Sequence, residues 1–283
     1  MKVSTASQMS QTFWSMNEEM NPRNKVTFVR EIDVTRLDLL RDKYGKSSYT
    51  ALITKAAACV LKEFPYANRA IVPGLFGDRI IQFENADITI AVEKNVPDAE
   101  AVVYAHILRE ADELNASEIH QELKTLVDSN QSESIQRWLM FLKILKTVPT
   151  FIAKRVLRLP RYFTSEWVKH RGGACFVNSP AKHGVDLLVA DMLWPLTFSF
   201  GWIRERPWAS EGQVCVRKTA PLIMIFDRRI MQGALAAKVF ARFCNLLENA
   251  DELALMGEAY QDELKNNLSL SQPASNISKN LSV

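Results

Sequence analysis

The stretch Phe226-Asp-Arg-Arg-Ile-Met-Gln-Gly-Ala234 decides how the rest of the chain is read. An apolar run, Pro221-Leu-Ile-Met-Ile-Phe226, leads into it. A helical pattern, Leu235-Ala-Ala-Lys-Val-Phe-Ala-Arg-Phe243, leads out. Short apolar runs read as buried strands, and apolar residues three and four apart read as helices. A strand, a polar turn and a helix in that order place the turn's side chains where a functional site is commonly built.

Composition narrows the class. The chain has 283 residues, of which 47% are hydrophobic, enough for a sizeable core. A net charge of +3 is no footprint of nucleic-acid binding. The four cysteines, Cys59, Cys175, Cys215 and Cys244, form no C-x-x-C pair, which argues against a zinc site or disulfide framework and fits a reducing cytoplasm. Met1 to Ser10 lacks the apolar centre of a signal peptide. No run approaches the roughly 20 apolar residues of a membrane span. The expected location is cytoplasmic.

The elements follow from periodicity and caps. Val26–Val34 alternates as a strand, and a helix capped by Asp33 or Thr35 runs to about Tyr44. Ser48 caps the next helix, which Pro65 ends. Arg79–Phe83, Asp87–Val92 and Val102–Ile107 read as strands, and Asn115 or Ser117 caps a helix to about Val127. Ile135 to Arg171 holds nine Lys or Arg against one Glu, interleaved with apolar residues, and Pro149 and Pro160 divide it into short helices. Strands are expected at Ala174–Asn178, Gly184–Leu188, Leu196–Trp202, Cys215–Arg217 and Leu222–Phe226. The last helix spans Gly233 to about Asn249, and the Asn/Ser-rich tail after Gln261 reads as mobile.

Asp227-Arg-Arg-x-x-Gln-Gly resembles the D-H-R-x-x-D-G signature of the acyltransferase core subunits of 2-oxoacid dehydrogenase complexes. Other pieces resemble the same family in the same order. Val26 to Val34 is similar to its first core strand, and Thr50 to Asn68 to its helix ending in proline and asparagine. Asp87-Ile-Thr-Ile-Ala-Val is similar to a further family strand. Gly172-Gly-Ala-Cys-Phe-Val-Asn-Ser resembles G-G-T-F-T-I-S-N, and Pro195-Leu-Thr-Phe-Ser-Phe-Gly201 resembles P-E-V-A-I-L-G. The resemblance implies an α/β fold, a chloramphenicol acetyltransferase-like mixed sheet flanked by helices. It implies a homotrimer with sites between subunits. The division it gives is an N-terminal extension over 1–25 and an acyltransferase-like domain over 26–254, with residues 135–171 as an insertion and 255–283 as a tail. No lipoyl domain is recognised, so a stand-alone protein is expected.

The resemblance also implies a chemistry that this sequence alters. In the family a histidine takes the nucleophile's proton, a hydroxyl on the G-G strand holds the oxyanion, and a residue four positions after the histidine supports the site. A histidine suits that role because its pKa of about 6.5 lets it accept a proton near neutrality. Arg228 occupies that position and cannot accept a proton, since arginine stays protonated and only donates. Asn178 stands at the hydroxyl position, and Gln232 at the supporting one. Together Arg228, Asn178 and Gln232 form a donor-rich set suited to an oxyanion, carboxylate or phosphate. His183, just beyond the G-G strand, is the candidate for a base supplied by a neighbouring subunit. His106, His120 and His170 read as structural or solvated. Ser179, Ser199 and Cys175 lack an adjacent base and read as strand residues.

Two functions fit. One is a stand-alone acyltransferase moving an acyl group from a coenzyme A or phosphopantetheine thioester, as co-substrate with no permanently bound cofactor, to a small amine or hydroxyl. The alternative is a non-catalytic protein of the same fold that binds or scaffolds, with Arg228 paired to a carboxylate. Within the basic segment, Lys143, Lys146 and Arg155 are candidates for coenzyme A phosphates or an acidic acyl carrier protein. Packing on the domain and peripheral contact with an anionic membrane fit its composition equally.

Overall fold

The computed structural model describes residues 24–43, 47–74, 77–94, 102–128 and 149–255. Strand β1 (Lys25–Asp33) is followed by α1 (Thr35–Lys43), whose start is held by Asp33: its Oδ1 accepts from the Thr35 backbone N–H at 2.8 Å. Helix α2 (Tyr49–Glu63) begins where Ser48 Oγ accepts from Ala51 N. Ala51 to Leu61 are buried without interruption, so α2 runs through the core rather than along its surface. Helix α3 (Ala116–Asp128) starts in a reciprocal capping box between Asn115 and Glu118, which selects Asn115 over Ser117.

The remaining elements are β2 (Arg69–Val72), β3 (Arg79–Gln82), β4 (Ile88–Lys94), β5 (Val102–Leu108), α4 (Thr150–Leu157), α5 (Leu159–Tyr162), α6 (Thr164–Arg171), β6 (Cys175–Asn178), β7 (Leu196–Phe200), β8 (Arg204–Ser210), β9 (Gln213–Asp227) and α7 (Gly233–Glu248). Strands β2 and β3 form a separate antiparallel pair. The main sheet is mixed, in the order β1-β9-β7-β6-β4-β5, with β8 on the outer part of β9. Strands β4, β6 and β7 run parallel, and the other neighbours are antiparallel. One face carries Ile88, Ile90, Cys175, Val177, Leu196, Phe198, Leu222, Met224 and Phe226 into a core shared with α2, α3 and α7. The opposite face carries Thr89, Phe176, Asn178, Thr197, Ser199, Ile223 and Ile225, by the two-residue alternation of strands.

Two expectations are corrected, and β8 is added to them. Cys215–Arg217 and Leu222–Phe226 belong to one continuous strand, because Pro221 lies within the β1–β9 ladder opposite Glu31 instead of breaking it. Arg204–Ser210, unread in the sequence, pairs as β8 with the first half of β9. Gly184–Leu188 is no strand: Gly184 adopts φ +69°, which closes the turn Ala181–His183 and turns the chain away from the sheet. Pro149 precedes α4 as expected, whereas Pro160 lies within the first turn of α5, where its missing N–H costs nothing. Residues 135–148 and the tail after Gln261 lie outside the described residues.

Two glycine approaches seat the site-bearing strands. A Cβ on Gly173 would lie 2.6 Å from the Asp87 carbonyl oxygen, so the G-G pair lets β6 enter beside β4. A Cβ on Gly201 would lie 1.8 Å from the Asp186 carbonyl oxygen, so the loop after β6 is pressed onto the end of β7. Gly201→Ala is expected to destabilise the chain by about 1–3 kcal/mol through overpacking, read as a lower urea midpoint at unchanged slope. A midpoint equal to that of the parent would show that the loop yields.

Candidate active site

The turn Asp227–Gln232 is built as the sequence suggests. β9 ends at Asp227, whose carboxylate is nearly buried and closes on Arg229. Its Oδ1 accepts from the Arg229 backbone N–H at 2.9 Å and from Nε at 3.0 Å, and its Oδ2 accepts from Nη2 at 2.6 Å. Such a fork is among the stronger side-chain pairings. The guanidinium of Arg229 is thereby held more firmly protonated, chiefly by its hydrogen bonds to Asp227. Arg228 takes no part in this fork. Its backbone N–H donates to the Asn24 carbonyl at 2.9 Å, and its side chain is exposed. Among the described residues no carboxylate pairs with Arg228. Gln232 precedes α7, accepts from Ala236 N through its carbonyl, and leaves its side chain exposed.

Asn178 lies at the other end of the sheet. It is opposite Ser199, which is opposite Ile223. Arg228 is five residues beyond Ile223, roughly 16 Å along the strand, and two strand spacings of about 4.8 Å separate β6 from β9. Arg228 and Asn178 of one chain therefore cannot meet on one atom, since a hydrogen bond needs about 3 Å. The donor-rich set read from the sequence is divided into two half-sites: Arg228 with Gln232, and Asn178 with its neighbours.

The Asn178 half-site contains what the sequence did not reveal. Asn178 Oδ1 and Ser199 Oγ are both buried, and neither has a hydrogen-bond partner among the described residues. Leaving a buried polar atom unsatisfied costs about 1–3 kcal/mol, and such atoms call for an explanation. Rotating the Asn178 amide by half a turn exchanges acceptor for donor, so it can meet either kind of ligand group. Beyond Asn178 the chain is clamped. Ser179 Oγ donates to the Phe200 carbonyl at 2.8 Å and accepts from Ala181 N at 3.1 Å, and Trp202 N donates to the Val185 carbonyl at 2.8 Å. The turn so fixed carries Lys182 and His183. Both meet Glu93 at the end of β4: Lys182 Nζ at 2.6 Å and His183 Nε2 at 3.0 Å from Glu93 Oε2. These two hydrogen bonds, Lys182 first, hold the Glu93 carboxyl below its ordinary range.

The other candidates fall into place as structure. His106 is buried on the helical face and meets Glu122 at 2.9 Å, His120 Nδ1 accepts from Ser48 N, and His170 faces Glu166 one helical turn away. Cys175 is fully buried and burial pushes its thiol upward, away from a reactive thiolate. The cysteines are all free, and the described residues contain no cluster suited to a metal ion. Arg155 is exposed on α4, whereas Lys143 and Lys146 lie outside the described residues. No helix among the described residues is long and apolar enough to cross a membrane.

The chain matches the model of the 2-oxoacid dehydrogenases acyltransferase catalytic domain over residues 3–138 and 194–255. It therefore belongs to that acyltransferase family. Among curated relatives it is 24% identical over 205 residues to the dihydrolipoyllysine-residue acetyltransferase component of the pyruvate dehydrogenase complex of Zymomonas mobilis, covering 72% of this chain and 38% of the relative. It is 23% identical over 249 residues to the succinyltransferase component of the 2-oxoglutarate dehydrogenase complex of Haemophilus influenzae, covering 84% and 51%. The chain thus spans about half or less of the length of these relatives. The fold is shared with a probable dihydrolipoamide acetyltransferase of Listeria monocytogenes (TM-score 0.60, 21% identity, 88% and 94% of the two chains). It is shared as well with the dihydrolipoamide acetyltransferase of Azotobacter vinelandii (TM-score 0.63, 18% identity, 90% and 93%), in whose catalytic mechanism a serine, a histidine and an asparagine were investigated.

Replacing Arg229 by alanine is expected to leave the Asp227 carboxylate buried without its partner. Because Arg229 is half exposed, the expected loss is about 1–3 kcal/mol. Chemical denaturation would measure it, and a loss below about 0.5 kcal/mol would show that water replaces the fork.

Proposed function

We propose that this chain is a stand-alone, cytoplasmic acyltransferase, a homotrimer whose sites lie between subunits. It moves an acyl group from a coenzyme A or carrier-protein thioester to a small amine or hydroxyl. The observation that carries this reading is the division of the donor set. In a member of an acyltransferase family, Arg228 and Gln232 lie at one end of the sheet, while the unsatisfied Asn178–Ser199 pair lies at the other. A second copy brings the two ends together. Surface composition supports assembly: Val214 and Val216, on the part of β9 that pairs with β8, are 78% and 67% exposed, and Val29 is 52% exposed. Burying such residues in a contact between copies removes apolar area from water.

In the assembled site the thioester carbonyl receives hydrogen bonds from Arg228 of one subunit and Asn178 of the next. Both stabilise the negative charge that grows on the carbonyl oxygen as the acceptor attacks. A neutral amine is the favoured acceptor, since it is nucleophilic before it loses a proton. The exposed Arg155, with Lys143 and Lys146 from the same basic segment, fits the phosphates of coenzyme A or an acidic carrier protein.

Purified protein is expected to release free thiol from acyl thioesters in the presence of amines. Arg228→Ala and Asn178→Ala should each lower kcat/KM by about 10²–10³-fold, as loss of one oxyanion donor does elsewhere. Refolding the two variants together should restore part of the activity, because mixed trimers contain intact pairs. Sedimentation should give three copies per particle. Absence of thiol release across acyl donors and acceptors would leave the same fold as a binding or scaffold protein.

A further inference from the structure

An acyltransferase site in which Arg228 occupies the histidine position has donors but no proton acceptor. The Asn178 half-site contains one. β4 and β6 are parallel, with Ile90 opposite Val177. Continuing that register by one residue sets Ala91 beside Asn178, and Glu93 follows two residues later on the same face. At strand spacings the Glu93 and Asn178 Cα atoms are then roughly 8 Å apart. Glu93 Oε2 meets His183 Nε2 at 3.0 Å. An ionised carboxylate only accepts, so Nε2 donates in this contact, and Nδ1 is the ring atom left to face a substrate. The imidazole side chain is 59% exposed and thus open to a substrate. Its turn is fixed by Ser179, by the left-handed Gly184 and by the close approach of Asp186 to Gly201. A histidine oriented by a carboxylate, five residues beyond an amide whose oxygen, like the Ser199 hydroxyl, has no partner among the described residues, has the parts of a proton-transfer site.

We propose that His183 is the general base of this acyltransferase, with Glu93 as its positioning residue and Asn178 of the same subunit beside the reacting carbonyl; this rests on the acyltransferase reading above. His183 Nδ1 takes the proton from the acceptor N–H or O–H as the acceptor atom bonds to the thioester carbonyl carbon. The carbonyl electron pair moves onto oxygen, where Asn178 and the neighbouring subunit's Arg228 hold it. The pair then re-forms the carbonyl, the carbon–sulfur bond breaks, and the thiolate leaves with the proton returned from His183. An acyl thioester and an acceptor X–H become acyl-X and a free thiol, with His183 restored.

The test is thiol release by the full chain with a series of acyl-coenzyme A and acyl-phosphopantetheine thioesters and a panel of amines and alcohols. It compares the parent with His183→Ala, His183→Gln and Glu93→Gln, each checked for an unchanged thermal midpoint and particle mass. Both His183 variants are expected to lose about 10²–10⁴-fold in kcat at similar KM. Added imidazole should restore part of the His183→Ala rate and leave the parent unchanged. Glu93→Gln is expected to lower kcat by about tenfold without raising KM. A parent that releases thiol while both His183 variants stay within threefold of it would overturn the base assignment and leave the acyltransferase reading intact. A correctly folded trimer that releases no thiol from any donor would overturn both.

Discussion

Strand β9 is the constraint on which the rest of the structure depends. Its fifteen residues hydrogen-bond to β8 along the outer half and lie between β1 and β7 along the inner half. Backbone groups in a buried sheet must be paired, so the register of β9 fixes its three neighbours together. The same strand delivers Asp227 to the turn at one end and sets Ser199 opposite Ile223 at the other. Both half-sites are therefore measured from one ladder. Pro221 is accommodated within it at no loss to β7, because Gly201 N–H donates to the Pro221 carbonyl.

The face of the sheet away from the helices carries the polar chemistry. Its residues alternate with core residues on the same strands: Asn178 follows Val177, and Ser199 follows Phe198. Anchors on this face are specific. Trp194 stacks on Phe176 at 4.5 Å, its indole N–H donates to the Arg171 carbonyl, and Thr89 Oγ1 donates to the same carbonyl. Lys25 Nζ donates to the Trp194 carbonyl, and burial lowers its pKa. These contacts tie the basic helical segment and the loop after β6 to one surface. They end short of Asn178 Oδ1 and Ser199 Oγ, which have no hydrogen-bond partner among the described residues.

Much of the fold was legible because it is written locally. The caps at Ser48 and Asn115, the apolar run of α2, and the strands that begin at Lys25 and Ile88 rest on side chain to backbone bonds or on two- and four-residue periods, which a sequence displays directly. Elements whose partners are distant were harder to read. β8 has no apolar alternation, and it is a strand because β9 offers it a ladder. Leu187 and Val189 look like strand residues, yet they are exposed, because Gly184 redirects the chain and the Gly201 approach fixes its path. Pro221 looks like a boundary in isolation and is an interior residue in its sheet.

The sequence by itself determined the family and the mixed α/β fold, because each is carried by residue type and order within short segments. It identified Asn178, Arg228, Gln232 and His183 as the residues to follow. Tertiary structure decided how they group. Asn178 and Arg228 lie at opposite ends of the sheet, since the strand register sets distances that residue order does not encode. Glu93 and His183, ninety residues apart in sequence, are hydrogen-bonded because β4 runs parallel beside β6 and continues past its end, toward the turn that carries His183. No local pattern marks that carboxylate. Its significance arises from the sheet that brings it to the histidine.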